Sequence, residues 1–192
     1  ANSAAALRGL GRDFDLVRVG LAMYGYHSSP NVSLPDGVFP ILRLVSHLIL
    51  AKNLPQGHAV GYGATFMTQR PTRVGVVPIG YADGYVRNLS DRARMEVNGS
   101  LAPVIGKISM DLTVLDVTDV PDANPGVPVT VFDHRPDRPN SVESLARLLD
   151  TIPYEITCLL GDRIQRVAVK AFEMPKIPDR AEGAPVRDAI QL

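Results

Sequence analysis

Cysteine is almost absent from this 192-residue sequence, in which Cys158 stands alone. One thiol cannot make an intramolecular disulfide or a multi-cysteine zinc site, so a reducing, cytoplasmic setting is the default expectation. Net charge is missing as well. Twenty Lys+Arg balance twenty Asp+Glu, and without a basic footprint neither nucleic acid nor an anionic membrane surface is an expected partner. Long apolar runs are also lacking. The most apolar stretch, 41–51, is interrupted by Arg43 and His47 and is too short to cross a bilayer. The sequence opens Ala1-Asn2-Ser3 with no initiator Met and no signal-peptide layout, then runs directly into a helix-like segment. That is how a chain cut from something longer would begin. Lysine is scarce too: Lys52, Lys107, Lys170 and Lys176 are the only four among the twenty cations. There is no internal repeat and no low-complexity tract.

What remains is an ordinary globular composition, 45% hydrophobic and 21% charged. The length suffices for one domain, or one and a fraction, with a real core. Residues 1–28 read as an α/β fragment: a short helix over Ser3–Leu10, a turn at Gly11-Arg12-Asp13, then an apolar strand over Leu16–Met23 suited to a buried parallel position. Turn formers fill 28–40, which reads as a linker. From Phe39 to Ala171 short strands recur between turn signals, the mark of a mainly β architecture. The pattern predicts a long strand over Ile41–Lys52, another over Arg73–Gly80, and a hairpin of Met95–Val97 with Leu101–Ile105 across Asn98-Gly99. Alternation marks Ile108–Val117 as a strand, and further strands are expected over Val127–Asp133 and Gln165–Val169. One helix interrupts them: Asn140 and Glu143 form a capping-box pattern, an apolar stripe of Val142, Leu145, Leu148 and Leu149 follows, and Pro153 bounds it.

No metal site is expected. His47 and His58 fall on different elements, and Asp111, Asp116 and Asp119 lie along a strand and its end, where they cannot converge as a calcium loop does. A phosphate is better supported. Ser3 starts a helix, where free N–H groups favour an anion, and Gly20 lets a ligand approach the backbone. A capping serine and a packing glycine explain both equally well. Three tyrosines stand near turns: Tyr62 within Gly61-Tyr62-Gly63-Ala64, Tyr81 before Ala82-Asp83-Gly84, and Tyr154 after Pro153. Half-buried packing with a surface hydroxyl is their ordinary role. As a base, tyrosine has a reference pKa near about 10 and needs a cation or desolvation to help.

Six blocks, in order, resemble the C-terminal half of alanine racemase, a bacterial enzyme family that uses pyridoxal phosphate (PLP). They are Ala1-Asn2-Ser3-Ala4-Ala5, Val17-Arg18-Val19-Gly20-Leu21-Ala22-Met23-Tyr24-Gly25, Gly61-Tyr62-Gly63-Ala64-Thr65-Phe66, Pro78-Ile79-Gly80-Tyr81-Ala82-Asp83-Gly84, Gly106-Lys107-Ile108-Ser109-Met110-Asp111 and Ile152-Pro153-Tyr154-Glu155. The resemblance implies a mainly β C-terminal domain over 39–172, preceded over 1–38 by the last helix/strand piece of a (β/α)8 barrel. A flexible tail over 173–192 lies outside it. It also implies a head-to-tail homodimer whose sites draw residues from both subunits, with L- and D-alanine as substrates for peptidoglycan synthesis.

The residue roles are likewise what the resemblance implies. Ser3 and the backbone N–H groups of Gly20 and Leu21 would hold the PLP phosphate, with the Tyr154 hydroxyl completing the cup. Arg18 would face the pyridine nitrogen and, as a fixed cation, disfavour its protonation. Tyr62 would be the acid/base residue reaching into the partner's site. Met110 and Asp111 would line the substrate pocket, Tyr81 would narrow its entrance, and Arg87 and Lys107 would lie further out. Lys107 stands where the family usually has arginine, which keeps the charge and loses the planar fork. The lysine that binds PLP, the arginine for the substrate carboxylate and the histidine behind the tyrosine would all lie upstream of Ala1. The chain alone is therefore expected to be inactive. A racemase for serine or another small amino acid would share every block, and a non-catalytic β domain serving dimerisation or binding would share the fold.

Overall fold

The computed structural model describes residues 1–11, 13–28 and 31–169 and the strand Ala189–Gln191. In chain order the elements are α1 (Ser3–Leu7), β1 (Arg43–His47), β2 (Leu50–Leu54), β3 (Ala59–Val60), β4 (Phe66–Met67), β5 (Thr72–Val77), β6 (Arg94–Val97) and β7 (Ser100–Pro103). They continue with β8 (Thr113–Asp116), β9 (Pro128–Phe132), α2 (Val142–Leu149), α3 (Pro153–Cys158), β10 (Gln165–Val167) and β11 (Ala189–Gln191). Single-turn 3-10 helices occupy Leu21–Tyr24, Tyr62–Ala64, Tyr81–Asp83 and Arg87–Leu89. The strands form a six-stranded sheet in the order β10-β11-β1-β9-β6-β7, a three-stranded antiparallel sheet β2-β5-β8, and the small pair β3-β4. The domain is mainly β, as expected.

One apolar core joins these layers. Leu44, Met95, Val97, Val129, Val131 and Phe132 enter it from the larger sheet, Val77, Leu115 and Val117 from the smaller sheet and its end, and Val142 and Leu145 from α2. The asymmetry of α2 follows from its stripe: Val142 and Leu145 are fully buried while Arg147 points to solvent. Leu21 and Tyr26 belong to the same core, which ties the N-terminal segment to the β domain. Two further links cross that junction. The Ile41 amide donates to Tyr24 O at 3.2 Å, and Glu143 Oε1 accepts from the His27 amide at 3.1 Å and lies 3.0 Å from its Nδ1.

The Asn98-Gly99 hairpin forms as expected. Both residues take positive φ, 47° and 80°, so the turn is type I′ and matches the twist of β6 and β7. Four other expectations are corrected. Ile41–Lys52 is two strands, because the chain changes sheets at its middle. The Leu48 amide donates to Val127 O at 2.9 Å and the next amide, that of Ile49, donates to Val76 O at 2.9 Å. Strand structure within Ile108–Val117 is confined to Thr113–Asp116, where Thr113 and Leu115 are the buried pair. The segment before it is a loop folded back on itself, with the Ser109 amide donating to Leu112 O at 2.9 Å. The cap of α2 is Ser141, whose hydroxyl accepts from the Ser144 amide. Asn140 is buried instead, donating to Thr130 O at 3.0 Å, and Glu143 turns to His27.

The fourth correction concerns Leu16–Met23. Its strand character shrinks to a single parallel bridge, Asn2 to Arg18, followed by the 3-10 turn. A parallel strand needs partners on both sides, and among the described residues only Asn2 pairs with it. Its apolar side chains stay out: Leu16 is 70% exposed and Met23 69%. The expected flexible tail over 173–192 lies outside the described residues except for Ala189–Gln191, which form β11 between β10 and β1. Helix α3, with Pro153 at its first turn, was not anticipated, although proline favours that position. Among the described residues, no helix is long and apolar enough to cross a membrane.

Candidate active site

The site residues fall into two groups. In the first, α1 starts with Asn2 as its cap, the Asn2 Oδ1 accepting from the Ala5 amide at 3.0 Å. Capping by Asn2 frees Ser3 for another task. The Ser3 hydroxyl, 2% exposed as a residue, accepts from the Gly20 amide at 3.1 Å and from the Ala22 amide at 3.5 Å. An oxygen that accepts twice still has its own proton to donate. A Cβ placed on Gly20 would meet nothing within 4 Å, so the space in front of this backbone is open. Arg18 enters by its backbone, its amide donating to Ala1 O at 2.7 Å, and its side chain is exposed. Ser3, Arg18, Gly20 and Leu21 are thus brought together as a small donor-rich cup. Tyr154 stands apart on the first turn of α3, 37% exposed. Among the described residues no hydrogen bond joins it to Ser3.

The second group is a mouth made of three loops. Tyr62 is 71% exposed, lifted out by a turn that only glycine can begin. Gly61 has φ 76° and ψ −177°, and a Cβ there would lie 2.9 Å from the Lys107 amide nitrogen. The Tyr62 turn therefore leans on the backbone at Gly106-Lys107. The loop carrying Tyr81 (43% exposed) meets the loop carrying Met110 (54% exposed). The Tyr81 amide donates to Ser109 O at 3.1 Å, and the Ala82 amide to Met110 O at 3.0 Å. A third loop braces from behind. Asp91 Oδ1 accepts from the Gly106 amide at 2.5 Å, and Ser90 Oγ from the Ile108 amide at 3.0 Å, just after the turn that carries exposed Arg87.

Tyr62, Tyr81, Lys107, Met110 and Asp111 thus gather on one framework, with Arg87 at its edge. Composition and spacing pointed to none of the groups that hold this framework. Asp83 is buried; its Oδ2 accepts from the Gly80 amide at 2.8 Å and its Oδ1 pairs with Arg163 Nε. Arg163 also bonds Asp111 Oδ1 at 2.5 Å. The two carboxylates, Asp83 first, hold the Arg163 guanidinium well above the usual arginine range, so it stays charged. The Ala82-Asp83-Gly84 turn pattern could have flagged Asp83; nothing local flags Arg163, eighty residues away. An open groove of about 480 Å³ lies elsewhere, between α1 and Val17, lined by Ala6, Leu7, Arg8 and Leu10. It holds none of the acid/base candidates. Among the described residues no three His, Cys, Asp or Glu side chains gather as a metal site would require.

Comparison with known proteins gives this arrangement a family. Residues 41–168 match the model for the alanine racemase C-terminal domain. The chain belongs to the alanine racemase family. It is 41% identical over 170 residues to an alanine racemase of Desulfovibrio desulfuricans, which covers 88% of this chain and 45% of that protein. Among solved structures it resembles the alanine racemase of D-cycloserine-producing Streptomyces lavendulae, with a TM-score of 0.79 and 38% identity over 90% of this chain and 46% of that one. It also resembles that of Bartonella henselae, solved with covalently bound pyridoxal phosphate, at a TM-score of 0.75 and 34% identity over 88% and 46%. The chain therefore spans just under half the length of the alanine racemases it matches. Both the cup and the mouth lie on family blocks.

Proposed function

We propose that this chain is the C-terminal part of a PLP-dependent alanine racemase, interconverting L- and D-alanine, in which Tyr62 is one of two proton-transferring groups. The observation that carries the reading is the presentation of Tyr62, its ring 71% exposed on a glycine turn braced against Lys107. A tyrosine packed for stability would bury its ring; this one is held out for something else to meet. Residues 1–38 are read as the end of a barrel, and the exposed apolar side chains Leu16, Val17 and Met23 are what such a cut edge would leave uncovered.

The donor set of the cup suits PLP. A buried hydroxyl with a proton to give, adjoining amides and no carboxylate match a phosphate. Ser3, Gly20 and Leu21 would hold that phosphate, Tyr154 would close over it, and Arg18 would lie beside the pyridine nitrogen. Bound there, PLP supplies an electron sink that acidifies the substrate α-hydrogen. The chain's own work is then positional. Tyr62 takes or returns a proton at the α-carbon on one face; the group for the opposite face is expected upstream of Ala1. Met110 would offer its amide to the substrate carboxylate, and Tyr81 would narrow the passage.

The test is Tyr62→Phe in the protein that joins residues 1–192 to its PLP-binding barrel. Equal equilibrium populations of the two enantiomers force racemisation to fall in both directions together. Exchange of the α-hydrogen with D2O separates the faces: it should survive for one enantiomer and be lost for the other. Equal, small losses for both would remove Tyr62 from the chemistry.

A further inference from the structure

Arg163 reaches two carboxylates of very different character. Asp83 has a side chain 3% exposed and is fixed by the Gly80 amide; Asp111 is 55% exposed on the loop that carries Met110. The segment before Arg163 is anchored as well, the Gly161 amide donating to Asp83 O at 3.3 Å. The buried carboxylate therefore fixes the guanidinium, and the guanidinium in turn fixes the exposed carboxylate. A planar fork can serve two such acceptors from adjacent nitrogens, whereas an ammonium would serve them as a single point charge. Two negative charges and one positive meet here. Take the arginine away and a loose, unpaired carboxylate stands next to the Met110 amide.

We propose that Arg163 is a positioning residue of the substrate entrance, one that ties down and neutralises Asp111 so that the Ser109–Leu112 loop can receive a substrate bearing its own carboxylate. This rests on reading the mouth as a racemase entrance. The tie itself is a property of the chain and can be read without turnover.

Two measurements test it. In the 192-residue chain, hydrogen exchange at the Tyr81 and Ala82 amides, which bond the loop carbonyls, should quicken about tenfold in Arg163→Gln and in Asp111→Asn. Asp111→Asn leaves the Asp83 pair intact, so it reads the tie even if Arg163→Gln fails to fold. Unchanged exchange in Asp111→Asn, or a rise shared equally by the core amides of Val129 and Val131, would overturn the tie. In the protein with its barrel, Arg163→Gln should raise KM for alanine about tenfold with kcat within about twofold. Adding Asp111→Asn to Arg163→Gln should restore KM, because the repelling charge is gone; Arg163→Lys should fall between. A KM defect that Asp111→Asn does not relieve would make Arg163 a mere support for Asp83 and overturn the proposal. Absence of racemase activity in the wild-type protein would overturn the proposed function and leave the exchange result standing.

Discussion

Replacing Gly80 with alanine tests the framework of the mouth most directly. Gly80 has φ −151° and ψ −163°, extended backbone open to any residue, so alanine there carries no conformational penalty. The obstacle is space. A Cβ would lie 2.3 Å from Ser109 O and 2.4 Å from Met110 O, whereas ordinary contact begins at 3.4 Å. The two loops must separate by about 1 Å, a shift that rigid backbone on both sides resists. That movement stretches the bonds from Tyr81 and Ala82 to Ser109 O and Met110 O beyond hydrogen-bonding range, at about 1 kcal/mol each. With residual overpacking of about 1–2 kcal/mol, the expected loss is about 3 kcal/mol. Urea unfolding followed by circular dichroism measures it, with an unchanged denaturant slope showing that the native state has not loosened wholesale. Gly99→Ala is the reference. Its φ is 80° with nothing within 4 Å, so it should cost only about 1 kcal/mol, all of it conformational. If Gly80→Ala loses no more than Gly99→Ala, the close approach of the two loops is not what builds the mouth.

Two further outcomes follow from packing and charge. Leu21→Ala removes a side chain 3% exposed in the shared core, so stability should fall by about 2–4 kcal/mol and the Gly20 and Ala22 amides should exchange faster; a loss below about 1 kcal/mol in urea would mean that the N-terminal segment is not docked. Burial alone would raise the Asp133 carboxyl, but hydrogen bonds from Arg135 outweigh it and hold the group below the usual carboxylate range. The folded state thus favours the ionised form, and the resulting stability is full above the ordinary carboxylate range and lost as pH falls through the lowered value. Asp133→Asn should therefore lower the urea midpoint near pH 7 and flatten its decline toward about pH 3. An acid decline as steep as that of the wild type would assign it to other carboxylates.

Sequence alone determined the local devices. Asn98-Gly99 specified its own turn, because both positions need positive φ and these residue types supply it. The stripe of α2 and the six family blocks were equally legible, and the blocks named Ser3, Gly20, Tyr62, Tyr81 and Met110 before any contact was known. What sequence left open depends on neighbours distant along the chain. The break of Ile41–Lys52 into two strands follows from Leu48 and Ile49 bonding to different sheets, which no local propensity records. The cap of α2 moved to Ser141 because Asn140 found a buried partner in Thr130. Leu16–Met23 reads as a strand by composition, yet the described residues offer it only Asn2 as a neighbour. The grouping of Asp83, Asp111 and Arg163 was invisible for the same reason. Residue type fixes what a side chain can bond, while only the folded chain decides which carboxylate an arginine eighty residues away will reach.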